Sequence, residues 1–151
     1  VVEFLLILVP VGGVALLVAV LIGSLRRRAR AAARRAAMHA GGAVPLLSEP
    51  ANYMGRESRR GREIRGNGRL VLTGDLLVFA MYVPARDLVI PRDAITAADT
   101  ARGHAGRRVG RPLLRVAWDE GGGPERVAWW VREPDRWLAA LGAPGAPPAG
   151  P

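Results

Sequence analysis

The chain has 151 residues, 22 of them basic and 13 acidic, giving a formal charge of +9; every basic residue is Arg and there is no Cys. That length allows one domain of ordinary size. Without Cys, disulfides, thiolate chemistry, iron–sulfur clusters and sulfur-ligated zinc are excluded. With only His39 and His104, a histidine-rich metal centre is excluded as well.

The first element in chain order is an apolar run. Residues 4–25 carry no charge, and a helix of that length reaches about 33 Å, enough for a hydrocarbon core of about 30 Å. The run predicts a transmembrane helix that interacts with the lipid bilayer. Pro10, Gly12 and Gly13 are tolerated in such a helix. Arg26, Arg27, Arg28, Arg30, Arg34 and Arg35 follow it, whereas only Glu3 precedes it. Secretory signals have the opposite charge order. By the positive-inside rule these six arginines set the topology: N-terminus outside, the rest cytoplasmic, in a single-pass protein of the inner (cytoplasmic) membrane. Residues 26–40 form a basic juxtamembrane helix, with arginines on one half of the wheel, Ala29, Ala32, Ala33 and Ala36 on the other, and Gly41-Gly42 as its stop. His39 is read as solvated.

Residues 41–50 read as a linker and residues 143–151, APGAPPAGP, as a disordered tail. The part between them, 51–142, reads as mainly β. Strands are predicted at 69–73 and 76–82 around a Gly74-Asp75 turn, with Leu77, Phe79 and Met81 sharing one face. Further strands are predicted at 87–90, 94–98, 113–118 and 125–131. Residues 102–111 read as a basic loop, and Gly121–Pro124 as a hairpin connection. Pro134 and Asp135 suit the start of a last helix, whose Trp137, Leu138 and Leu141 form an apolar stripe ending at Gly142.

The run GNGRLVLTGDLLVFAMYVPARDLVIPRDAITAAD, with Leu72-Thr73, Leu77–Phe79, Val89-Ile90-Pro91 and Ile95 as its matching parts, resembles the PH-like and GRAM-like domains found in bacteria. The resemblance implies two packed antiparallel sheets, seven strands in all, closed by a C-terminal helix. The expected fold is thus a transmembrane helix followed by a PH/GRAM-like two-sheet β-barrel or sandwich. An OB-like or SH3-like barrel, or an irregular α+β domain, are the alternatives.

Catalytic patterns are sparse. Ser24, Ser48 and Ser58 lie on no strand-to-helix elbow, a Ser58/His104/Asp99 trio has no supporting motif, and Asp93, Asp99, Asp119 and Glu120 have no paired-carboxylate or calcium-loop spacing. No glycine-rich phosphate loop is present. The chain reads as a non-enzyme with no catalytic, cofactor or metal residues, and His104 as a loop residue.

Two arginine clusters remain: Arg59, Arg60 and Arg62 in the run 56–65, and Arg102, Arg107, Arg108 and Arg111 in the run 102–111. Guanidinium groups grip phosphate in forked geometry. The expected function is a membrane-tethered scaffold that recruits a protein partner. Sensing of anionic phospholipid headgroups through these arginines is the second reading and a small tethered enzyme the third; nucleic acid is disfavoured because aromatics do not interleave with the basic residues.

Overall fold

Each apolar run of the sequence becomes a strand or a helix face, and the order of the strands decides the shape. The computed structural model describes residues 2–59 and 62–142, the side chains of residues 2–12 and of Arg107 lying outside the described set. Helix α1 spans Val2–His39. It is followed by β1 (Leu47–Arg56), β2 (Gly66–Leu72), β3 (Leu76–Met81), β4 (Asp87–Pro91), a 3₁₀ turn at Arg92–Ala94, β5 (Ile95–His104), β6 (Arg107–Asp119), β7 (Pro124–Trp130) and α2 (Pro134–Leu141). The expected tail, 143–151, lies outside the described residues.

All seven strands belong to one antiparallel sheet in the order β4-β3-β2-β1-β7-β6-β5. Strand β1 is shared by both limbs: Leu47–Tyr53 pair with β2, and Asn52, Tyr53 and Arg56 pair with β7. The register slips between Tyr53 and Arg56, and Gly55 in that gap has φ 93°. A bulge with glycine at positive φ bends and twists its strand. The sheet curls around it into a half-barrel, with β4 and β5 as its two ends.

The inner face of the curl holds the core. Leu70, Leu72, Leu77, Phe79 and Ile90 from one limb meet Leu114, Val116, Trp118, Val127 and Trp129 from the other. Tyr53 stacks on Phe79 at 5.3 Å, and Trp129 leans on both rings. Helix α2 closes this core with Trp137 and Leu141. Trp137 Nε1 donates to Glu49 Oε1 at 2.6 Å, and Arg92 Nη2 donates to the carbonyls of Ala140 and Leu141. That guanidinium satisfies carbonyls that a helix C-terminus leaves without partners.

A second, smaller cluster lies on the outer face. Ala32 and Ala36 of α1 pack on Val71, Val78 and Ala80. Arg35 holds Asp87 Oδ1 at 2.9 Å and donates to the Met81 carbonyl, and His39 Nε2 meets Asp87 Oδ2 at 3.0 Å. Ala32 and Ala36 thus make one side of the helix a docking face, and His39, which stays exposed, also forms a hydrogen bond with Asp87.

Three expectations are corrected here. First, among the described residues no helix is long and apolar enough to cross a membrane. The expected anchor at 4–25 therefore gains no support; its residues 4–12 lie among those without described side chains. The inner-membrane location, the single-pass topology assigned to Arg26, Arg27, Arg28, Arg30, Arg34 and Arg35, and the bilayer as partner rested on that anchor and fall with it. Second, the expected two packed sheets are one continuous curled sheet, because β1 hydrogen-bonds to both limbs. Third, the run 102–111 is not a loop: β5 continues to His104 and β6 begins at Arg107, with a two-residue turn between them.

Candidate functional site

The β5–β6 hairpin is built by its glycines and by one strained turn. Ala105 and Gly106 have φ of 50° and 79° between the paired His104 and Arg107. Positive φ at both central residues characterises the tight hairpin turn whose twist matches that of its strands. A second register slip, between Ala101 and Gly103, bends β5 just before the tip. The resulting arm carries Arg102, Arg108 and Arg111, all exposed. Arg102, Gly103, Arg108, Val109 and Gly110 line an open concavity of about 960 Å³ that merges with solvent.

The arm is cationic because nothing on it compensates the charge. No acid occurs between Asp99 and Asp119, and Asp99 is already engaged by Arg115 through Nε at 2.8 Å and Nη2 at 2.5 Å. That forked contact raises the Arg115 pKa further. Arg111 lies over the Trp130 ring at 5.5 Å, a contact that orients a guanidinium while leaving its N–H edge open. Among the described residues, Arg102, Arg108 and Arg111 make no ion pair, whereas Arg35, Arg56, Arg115, Arg126 and Arg136 each have a carboxylate.

The base of the arm is tied down. His104 is 6% exposed, and its Nε2 donates to the Gly55 carbonyl at 2.8 Å. It is therefore a buried structural contact and not a loop residue. Nothing in the sequence marks it, since His104 sits in a run of Gly and Arg that reads as flexible.

The other arginine cluster is placed differently. Arg59 and Arg62 are exposed on the connection between β1 and β2, and Arg60 lies outside the described residues. Two carboxylates hold this connection. Glu125 accepts from the Ser58 hydroxyl, from Ser58 N and from Arg126 N, and Glu63 Oε2 accepts from Arg56 N at 2.8 Å. Burial pushes the Glu125 pKa up, but the hydrogen bonds and the Arg56 charge outweigh it and hold the carboxyl below its ordinary value. Burial and the neighbouring Glu63 raise the Tyr53 phenol well above its usual range, so it stays neutral. Arg56 itself stacks on Trp118 and pairs with Glu120 at 2.6 Å. Ser58 is thus committed to Glu125, and no contact among the described residues joins it to His104 or Asp99. Also among the described residues, no cluster of three His, Asp or Glu side chains is arranged to hold a metal ion.

A narrower, partly open cleft of about 40 Å³ is lined by Tyr53, Arg56, Glu63, Phe79, Met81, Arg86, Asp87 and Leu88. Another lies between Pro45–Glu49 and the start of α2, at Glu133, Arg136 and Trp137. In the first, Glu63 accepts from Arg56 N and Asp87 is held by Arg35; in the second, Glu49 accepts from Trp137 and Arg136 lies 4.0 Å from Glu133.

No family model matches the chain, and no curated protein matches it. Among solved structures it is similar to the crystal structure of the C-terminal domain of an unknown protein from Leishmania infantum. The identity is 17%, the match covers 72% of this chain and 89% of that one, and the TM-score is 0.50. That likeness concerns the fold alone. The expected PH/GRAM membership and bacterial source are therefore corrected: neither gains support from the comparisons. The residues that suggested them are alternating apolar positions that a curled antiparallel sheet of any family requires. The membrane-tethered scaffold loses its tether, and recruitment of a protein or lipid partner by a bilayer-confined domain loses its premise.

Proposed function

We propose that the chain is a non-catalytic binding module that takes an anionic ligand, carboxylate- or phosphate-bearing, on the β5–β6 arm. The observation that carries this reading is the concavity around Arg102 and Arg108, whose cationic side chains meet no carboxylate among the described residues. Arg111, stacked on Trp130, supplies a third guanidinium with part of its ordering cost already met. Of the arginines of α1, Arg35 is already held by Asp87, and the exposed ones line no described concavity. Guanidinium–carboxylate and guanidinium–phosphate contacts are charge-assisted and forked, which suits recognition of anionic groups rather than turnover.

The test is fluorescence anisotropy of the full chain with two labelled peptides, one rich in Glu and one carrying phosphoserine. Two charge-assisted contacts of about 1.5–3 kcal/mol each predict a loss of affinity of about a hundredfold or more in R102A/R108A. The pair R59A/R62A is expected to stay within about twofold of wild type, because exposed charges off the site act only through a screened field. Equal affinity of R102A/R108A and wild type for both peptides contradicts the reading.

A further inference from the structure

His104 is buried at the root of the arm, and the anion-binding surface itself makes no use of it. Its position in the sheet is unusual: β5 and β1 are separated by β7 and β6 in the strand order, yet His104 of β5 bonds directly to Gly55 of β1. The contact therefore skips two strands and crosses the curl of the sheet. Both ends of the bond sit at irregularities. Gly55, with φ 93°, lies in the register slip of β1, and the slip between Ala101 and Gly103 falls in β5 just before His104. Two bulges in strands that are not neighbours, joined by one buried side-chain hydrogen bond, form a latch.

We propose that His104 is a positioning residue that latches the β5–β6 arm to β1 and so pre-organises Arg102 and Arg108 for the anion. The proposal rests on the anion-binding reading of the arm. Without the bond, the glycine-rich arm, with Gly103, Gly106 and Gly110, swings about the β5 bend, and its arginines must be ordered again on binding. The carbonyl acceptor requires the proton on Nε2, whether the ring is neutral or charged.

Three measurements on the full chain test this. In wild type, ¹⁵N spectroscopy of the imidazole is expected to show Nε2 carrying the proton, with slow solvent exchange. In His104→Phe, which keeps the bulk and removes the donor, backbone amide exchange over residues 100–111 is expected to accelerate about tenfold, the worth of one buried hydrogen bond. Affinity for the Glu-rich peptide is expected to fall several-fold. His104→Gln, whose amide can donate to the same carbonyl, is expected to recover part of both. An unprotonated Nε2, an unchanged arm exchange in His104→Phe, or equal peptide affinity for His104→Phe and wild type overturns the latch. Should wild type bind neither peptide, the anion-binding reading falls, while the imidazole spectrum and the exchange data still decide the latch.

Discussion

Glu125 is 5% exposed and accepts three hydrogen bonds, all from groups that need an ionised carboxylate to satisfy them well. Because its pKa is lowered by folding, its contribution to stability is present above the ordinary glutamate value of about 4.3. It is lost as the pH falls through the lower folded-state value. Glu125→Gln is expected to cost about 1–3 kcal/mol at pH 7. Urea melts at pH 7 and pH 3 should show the gap between variant and wild type closing at the lower pH. Ala105 makes the opposite case. Its φ of 50° places an alanine where a Cβ is disfavoured by about 1–2 kcal/mol. Ala105→Gly, after the entropy that glycine adds to the unfolded chain, is expected to raise stability by about 0.5–1 kcal/mol in thermal melts. Neither feature was legible in the sequence. Glu125 reads as the polar start of a strand, and Ala-Gly is a weaker hairpin signal than Asn-Gly.

At the scale of elements, β3 shows what the sequence carried and what it withheld. LLVFAM is apolar on both faces; the two-residue period puts Leu77, Phe79 and Met81 on one face, and the structure turns that face to the main core. It says nothing of what covers Val78 and Ala80, which pack against α1. A strand apolar on both faces is buried on both, so the run itself implied a second covering layer, and the alanine half of the α1 wheel was its match. The arginines beside those alanines masked it, because a basic helix after an apolar run reads as membrane topology. Ala32→Asp is expected to undock the end of α1. Hydrogen exchange should then show loss of protection over residues 29–39 with β7 and α2 unchanged; retained protection there would contradict the docking. Gly68 is a tighter constraint. A Cβ at that position would sit 2.5 Å from the Ala80 carbonyl oxygen and 2.5 Å from the Phe79 ring. Gly68→Ala is expected to destabilise by about 3 kcal/mol, read as a lower urea midpoint.

For the whole molecule, six of the seven strands and the closing helix followed from local patterns, but β1 (Leu47–Arg56), whose start reads as linker, and the single curled sheet did not. The sharing of β1 between two limbs depends on pairings between residues far apart in sequence, such as Tyr53 with Trp129, and on a glycine bulge that looks like any other glycine. The arm was misread for the same reason: Gly103, Gly106 and Gly110 suggest a loop, whereas pairing of Ala101 with Leu113 and His104 with Arg107 makes it a hairpin. What the sequence did show was the arginine excess of the arm and the absence of acids beside it. The central claim is that this arm, and no other arginine cluster, receives the anion. The most direct measurement is amide chemical-shift mapping of the full chain during titration with the Glu-rich peptide. The account predicts saturable shifts concentrated in residues 101–113 and at Trp130, abolished in R102A/R108A. Shifts concentrated at Arg26–Arg34 of α1 or at Arg59–Arg65, with the arm unmoved, would contradict it.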